Sequence, residues 1–139
     1  MMKTLDMQFI RYANLFSKIT KIRCSHCFEY NNAIVFAIPR HFIMKAIGKD
    51  SINLEKLSKV INKRVKIVAI PNGKEDITSF VSMVTKPIKF NGIELRGEEA
   101  IITAGMQSKA ALIGRGKVRL NEMENILGQY FGVKKVRIK

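Results

Sequence analysis

Apolar residues recur along this chain first at helical and then at strand intervals, and the whole succession occurs twice. Over residues 4–19, Leu5, Phe9, Ala13, Phe16 and Ile19 stand three or four positions apart, the spacing of one helix face. Residues 21–30 and 33–39 are dense in β-branched and aromatic side chains and predict two antiparallel strands. Asn31-Asn32 between them tolerates the left-handed backbone of a tight hairpin turn. A short helix is expected over 40–47, ending at Gly48. A second is expected over 51–62, where Leu54, Leu57, Val60 and Ile61 share a face. Residues 64–70 read as a strand, and Pro71-Asn72-Gly73 as a break.

The succession then begins again. Residues 75–85 place Ile77, Phe80, Val81 and Val84 on one helical face and stop before Pro87, which biases the residue ahead of it out of the helix. Residues 88–95 and 100–104 read as strands around Arg96-Gly97-Glu98-Glu99. Residues 106–113 read as a short helix, 114–117 as a loop, 118–130 as a longer helix and 134–138 as a last strand. Gly48 and Gly114 lie 66 positions apart, and the same offset carries Leu54 to Leu120, Leu57 to Met123, Val60 to Ile126 and Ile61 to Leu127. Element order and apolar register thus read as an internal duplication, with copies at 1–72 and 73–139. A copy of this size buries only roughly 60% of its unfolded surface and is marginal alone, so mutual packing would help both. The expected class is α+β: each copy has a helix plus a three-stranded sheet covered on one face by two further helices.

Composition adds a partner. The 139 residues are 47% hydrophobic, enough for a core, yet carry 25 Lys and Arg against 11 Asp and Glu, a net charge of +14. Residues 1–72 hold 13 basic and 4 acidic residues, and residues 73–139 hold 12 and 7, so both copies are basic. Positive charge spread along a folding chain suits a polyanion, because neutralising phosphates releases their counterions. A membrane surface would ask instead for one basic amphipathic segment. No run nears the roughly 18 apolar residues of a membrane span, and residues 1–21 mix Asp6, Arg11 and Lys18 among their apolar positions, unlike a signal peptide. A soluble, cytoplasmic protein is expected. Cys24 and Cys27 are too few for a disulfide framework.

The two helix-to-helix loops concentrate the candidate chemistry. Ile47-Gly48-Lys49-Asp50-Ser51-Ile52-Asn53-Leu54 joins the short helices of the first copy, and Ile113-Gly114-Arg115-Gly116-Lys117-Val118-Arg119-Leu120 those of the second. A residue without Cβ lets a sugar-phosphate approach the main chain. The helix that follows offers unpaired N–H groups and the positive end of its dipole, and the basic residue adds a phosphate contact. Gly48 and Gly114 also suit plain C-terminal caps of short helices.

Ile-Gly-basic at such a turn resembles the signature of KH domains, whose GxxG loop clamps the backbone of about four nucleotides. The fourth position departs from it, with Ser51 and Lys117 where glycine is expected. Ser51 suits a hydroxyl N-cap, and Lys117 a phosphate contact. A helix and strand ahead of a strand-helix-helix-strand core resembles the type II KH order, in tandem. Nearly the full chain is similar to archaeal NusA-like transcription factors, which consist of two such domains. The carrying segments are Ile34-Val35-Phe36-Ala37-Ile38, Lys45-Ala46-Ile47-Gly48-Lys49 with Asn53 and Leu57, Ala111-Leu112-Ile113-Gly114-Arg115-Gly116, and Tyr130-Phe131-Gly132-Val133 leading into Lys135-Val136-Arg137-Ile138. The resemblance implies single-stranded RNA binding in transcription termination, antitermination or elongation. RNA polymerase or the transcription complex is the further partner it points to. The RNA-contacting set it implies is Lys45, Gly48, Lys49, Ser51 and Asn53 in the first copy. In the second copy the set is Gly114, Arg115, Gly116, Lys117 and Arg119. The competing reading is a protein-interaction or assembly module on RNA polymerase or the ribosome that keeps the KH scaffold with degenerate loops.

Other chemistry is weakly supported. Cys24-Ser25-His26-Cys27 supplies half of a zinc site with no second half, and on a strand the two thiols would face opposite ways. Gly116-Lys117 lacks the first glycine and the Ser/Thr of a nucleotide-binding P-loop. Glu98-Glu99, Glu122 and Glu124 read as solvated surface, and no paired carboxylates or nucleophile suggest catalysis. The expectation is a non-enzymatic protein without cofactor or metal.

Overall fold

The computed structural model describes residues 7–24 and 26–139, so residues 4–6 of the expected opening helix lie outside the described residues. The chain divides into two compact units that meet in sequence at Ile70-Pro71.

The first unit runs α1 (Met7–Thr20), β1 (His26–Tyr30), β2 (Ala33–Ile38), α2 (Ile43–Ile47), α3 (Ile52–Ile61) and β3 (Arg64–Ala69). Asn31 and Asn32 both take positive φ, 52° and 61°, which turns β1 tightly into β2. The hairpin is antiparallel with Tyr30 opposite Ala33, whereas β2 and β3 pair in parallel from Ala33 opposite Arg64. A parallel pair cannot be closed by a short turn, and α2 and α3 form the crossover between β2 and β3. Ile34, Phe36 and Ile38 of β2 share one core with Tyr12 and Phe16 of α1, Ala46 of α2 and Leu57 of α3. The Phe16 and Phe36 rings stack with centroids 4.6 Å apart. All six residues of β2 are buried, which accounts for its unbroken apolar run.

The second unit repeats the order: α4 (Ile77–Thr85), β4 (Gly92–Arg96), β5 (Glu99–Thr103), α5 (Met106–Ile113), α6 (Val118–Phe131) and β6 (Lys135–Ile138). Again the outer pairing is antiparallel for β4–β5 and parallel for β5–β6. Ile77, Phe80, Val81 and Val84 are all buried as expected, and Phe80 packs on Tyr130 and Phe131 of α6. The architecture is α+β with two three-stranded sheets and, among the described residues, six α-helices.

Several expectations are corrected. The strand expected over 21–30 begins only at His26, because Lys21 caps α1 with a left-handed φ of 63°. Likewise the strand expected from residue 88 begins at Gly92. Val60 is 56% exposed although its counterpart Ile126 is buried. One residue turns a helix by about 100°, and Leu54, Leu57 and Ile61 fix the inward face of α3 away from Val60. Cys24 precedes β1, and both thiols enter the same core instead of facing opposite ways.

A polar device recurs at the end of each opening helix. The Thr20 hydroxyl donates to the Phe16 carbonyl at 2.8 Å, and that of Thr85 to the Val81 carbonyl at 2.9 Å. Both threonines are buried, so each hydroxyl needs such a partner. The Ile22 N–H also donates to the Thr20 hydroxyl oxygen at 3.1 Å.

The threonine pair and the buried thiols are both open to measurement. Thr20→Val strands the Ile22 N–H and should cost about 1–3 kcal/mol in urea unfolding, more than Thr85→Val, which orphans no such donor. Burial pushes the Cys24 thiol up to about 11, and burial with Cys24 nearby raises Cys27 further. Thiols that ionise later in the folded chain stabilise it below their ordinary value of about 8.5, and this contribution is lost as pH rises through the folded values. Urea unfolding between pH 8 and 11 should therefore show a fall in stability that Cys24→Ala/Cys27→Ala reduces; the same fall in both proteins would contradict the assignment.

Candidate nucleic-acid interface

Both short helices, α2 and α5, stop at a glycine whose N–H closes the last turn. Gly48 donates to the Met44 carbonyl at 3.1 Å and Gly114 to the Ala110 carbonyl at 2.9 Å, so both are C-terminal caps. They are also more than caps. Their φ/ψ values, 82°/167° and 76°/169°, lie in a region open in practice only to glycine. A Cβ on Gly48 would meet the side chains of Asn53 and Ile52 at 3.0 Å, and one on Gly114 would meet Cγ of Arg119 at 2.8 Å. Three residues later the chain turns back on the glycine's own carbonyl: Ser51 N–H donates to the Gly48 carbonyl at 3.1 Å, and Lys117 N–H to the Gly114 carbonyl at 3.2 Å.

The third and fourth positions of each loop are left-handed. Asp50 and Ser51 have φ of 54° and 61°, and Gly116 and Lys117 have 64° and 62°. Nearly equal dihedrals at matching positions mean that two different sequences follow one backbone path. The fourth position suits glycine because its φ is positive, and a non-glycine residue there costs roughly 1–2 kcal/mol. The first loop carries two such residues in succession, the second only Lys117. Ser51 makes no side-chain capping hydrogen bond, so the hydroxyl N-cap expected of it is replaced by the backbone turn alone.

The side chains sort into two layers. Lys45, Lys49, Arg115 and Lys117 are exposed, and among the described residues none of the four is in an ion pair. Asp50, exposed beside Lys49, offsets part of the first loop's charge. Gly116 is exposed within the second loop, with open space around its Cα. Asn53 and Arg119 lie beneath the glycines. The Asn53 side-chain amide donates to the Lys45 carbonyl at 3.5 Å, tying α3 to α2. Arg119 donates to Glu122 at 2.8 Å, the two side chains being only 17% and 26% exposed. Glu122 is therefore not the solvated residue the sequence suggests. Nor is Glu124, which accepts the Val136 N–H at 3.0 Å.

Sequence reasoning missed Ile52 and Val118. Each is the first helical residue after its loop, and they are 50% and 47% exposed. The 66-residue offset relates them, and Leu54 and Leu120 already occupy the inward face, so the same register comparison could have found them. A bare backbone, an exposed cation and an exposed apolar side chain at one helix start can meet a phosphate and the apolar part of its nucleotide together. Among the described residues no three His, Cys, Asp or Glu side chains gather as metal donors.

No protein-family model matches the chain. It is 21% identical over 140 residues to a Thermoplasma acidophilum protein named probable transcription termination protein NusA, covering 98% of this chain and 95% of that one. A Methanococcus vannielii protein of the same name is 22% identical over 138 residues, covering 96% of this chain and 78% of that one. The crystal structure of APE1850 shares the fold, with a TM-score of 0.65 and 23% identity over 97% of this chain and all of that one. Along nearly its whole length, the chain is similar to archaeal NusA-like proteins, the resemblance already carried by its two glycine loops.

Proposed function

We propose that this protein binds single-stranded RNA through two tandem type II KH domains, residues 1–72 and 73–139, and acts in transcription termination, antitermination or elongation. The recurrence of one glycine-led backbone path, followed each time by an exposed cation, carries the reading. Helix and strand precede the strand-helix-helix-strand core in both units, an element order that supports the type II reading. The names of the archaeal relatives supply the transcriptional setting. In this reading Gly48 and Gly114 bring the RNA backbone against the main chain, and Gly116 keeps the second loop open. Lys45, Lys49, Arg115 and Lys117 neutralise phosphates, with Ser51 turning the first loop and Asn53 and Arg119 behind the glycines. The work is binding, without catalysis or a cofactor, in the cytoplasm, with RNA polymerase or the transcription complex as the second partner. Among the described residues no helix is long and apolar enough to cross a membrane.

Asp50 favours a division of labour in which the second loop makes most of the phosphate contacts. Affinity for a short single-stranded RNA, measured across a potassium chloride series, tests both the function and the division. Removing one phosphate-neutralising side chain should flatten the log K against log salt slope by about 0.7, so Arg115→Gln/Lys117→Gln should remove up to about 1.4 and Lys49→Gln less than about 0.7. Weak, sequence-blind binding that fades by moderate salt would instead favour an assembly module on a protein surface.

Lys117 joins stability and binding in opposite directions. Lys117→Gly relieves the left-handed backbone but enlarges the freedom of the unfolded chain, for a net gain of about 0.5–1 kcal/mol. The same variant should flatten the salt slope by about 0.7. Thermal unfolding and the salt series read the two effects separately, and a variant that gained stability while keeping its full RNA affinity would remove Lys117 from the interface.

A further inference from the structure

We propose that Arg119 and Glu122 act as a positioning pair that holds the second loop in its RNA-binding shape, with Arg119 working through the loop backbone and not as a phosphate ligand. The inference rests on the RNA-binding reading of that loop.

Placement is the first observation. Arg119 stands 66 residues after Asn53, and both occupy the space a Cβ would need at the loop's first glycine. Measured from where a Cβ on Gly114 would stand, the backbone nitrogen, Cβ and Cγ of Arg119 lie at 3.0, 3.1 and 2.8 Å, so its stem fills the space beside the bare glycine. Commitment of charge is the second. The guanidinium meets Glu122 at 2.8 Å within one helical turn and the Arg119 side chain is 17% exposed, while Arg115 and Lys117 on the same loop are open to solvent. A largely covered Arg–carboxylate pair fixes the direction of both side chains, and loss of either member removes a charge-assisted hydrogen bond from the other. The third observation is that the first loop has a brace of different chemistry. Asn53 is neutral and reaches the Lys45 carbonyl, so the function common to the position is support, which needs no charge.

A positioning role reverses the sign of a simple electrostatic expectation. Glu122 is an acid beside a cationic loop, and if charge alone mattered its removal would strengthen RNA binding and steepen the salt slope. If the pair supports the loop, Glu122→Gln weakens binding. The expected loss is about 3- to 10-fold for Glu122→Gln and for Arg119→Gln, the size of one ordinary hydrogen bond transmitted through the loop, with the slope unchanged in both.

The test uses the full chain and a short single-stranded RNA, with fluorescence anisotropy across a potassium chloride series at a temperature where thermal unfolding shows every variant folded. Arg115→Gln is the control for a phosphate contact and should flatten the slope by about 0.7. Arg119→Asn/Glu122→Gln removes both charges together and copies the residue of the first loop, so its affinity should lie above that of either single Gln variant. That rescue separates support of the loop from general stability, because a pair that mattered only to global stability would shift the unfolding temperature and leave affinity unchanged. Tighter or unchanged binding by Glu122→Gln, a slope loss in Arg119→Gln equal to that of Arg115→Gln, or additive losses in the double variant would each overturn the proposal. Absence of salt-dependent RNA binding by the unmodified protein, or an Arg115→Gln variant that binds like it, would overturn the RNA reading itself.

Discussion

Parallel pairing of β2 with β3, and of β5 with β6, is the constraint from which the candidate site descends. Parallel neighbours must be joined by a crossover that climbs over the sheet and returns. In both units the crossover is two helices, so a reversal between helices is forced at one place. A reversal this tight needs a backbone that side chains disfavour, which is why glycine stands at 48 and 114. The same bare backbone and newly started helix that solve a problem of chain geometry also present N–H groups to an anion. Scaffold and site thus meet at the same residues.

The core sets where that reversal can occur. Leu57 and Ala46 are completely buried against the β2 strand, and Leu112, Met123 and Leu127 are buried in the second unit. These anchors fix the helices on either side of each loop. The loop residues therefore inherit their direction from apolar packing and are left to vary in charge, as Lys49-Asp50-Ser51 and Arg115-Gly116-Lys117 do on one backbone path. Conformation at these sites is shared by the two units, whereas electrostatics is individual to each.

Most of the architecture was legible from periodicity, because its helices and strands bury continuous apolar stripes. Met106–Ile113 begins and ends where the spacing places it, and the Asn31-Asn32 turn adopts the expected left-handed backbone. Strand starts were less visible: residues 21–24 and 88–91 alternate apolar with polar side chains as a strand does, yet pairing partners decide where a strand begins. Pairing also hid the roles of Glu122 and Glu124, since a charged residue on a helix looks solvated until its partner is seen. The layering of Arg119 behind Arg115 was equally invisible, because a count of cations in a loop carries no direction. A clear sequence mark of the duplication lies in Ser17-x-x-Thr20-Lys21 and Ser82-x-x-Thr85-Lys86, where buried threonines repeat the same bond to the preceding helical turn.

The bond from the Val136 N–H to Glu124 bears on the boundary of the second sheet. β6 is an outer strand, paired with β5 on one side, and open donors along such a strand are a template on which another chain can add itself. Glu124 occupies one of those donors from within the same unit, and Lys135 and Arg137 place exposed cations along the rim. A second molecule approaching this edge would meet an occupied donor and two exposed cations, Lys135 and an Arg137 drawn toward Glu99 of β5 at 3.9 Å. The excess of lysine and arginine that suits a polyanion therefore also discourages the sheets from growing into one another at the concentrations reached in a cell or a crystallisation drop.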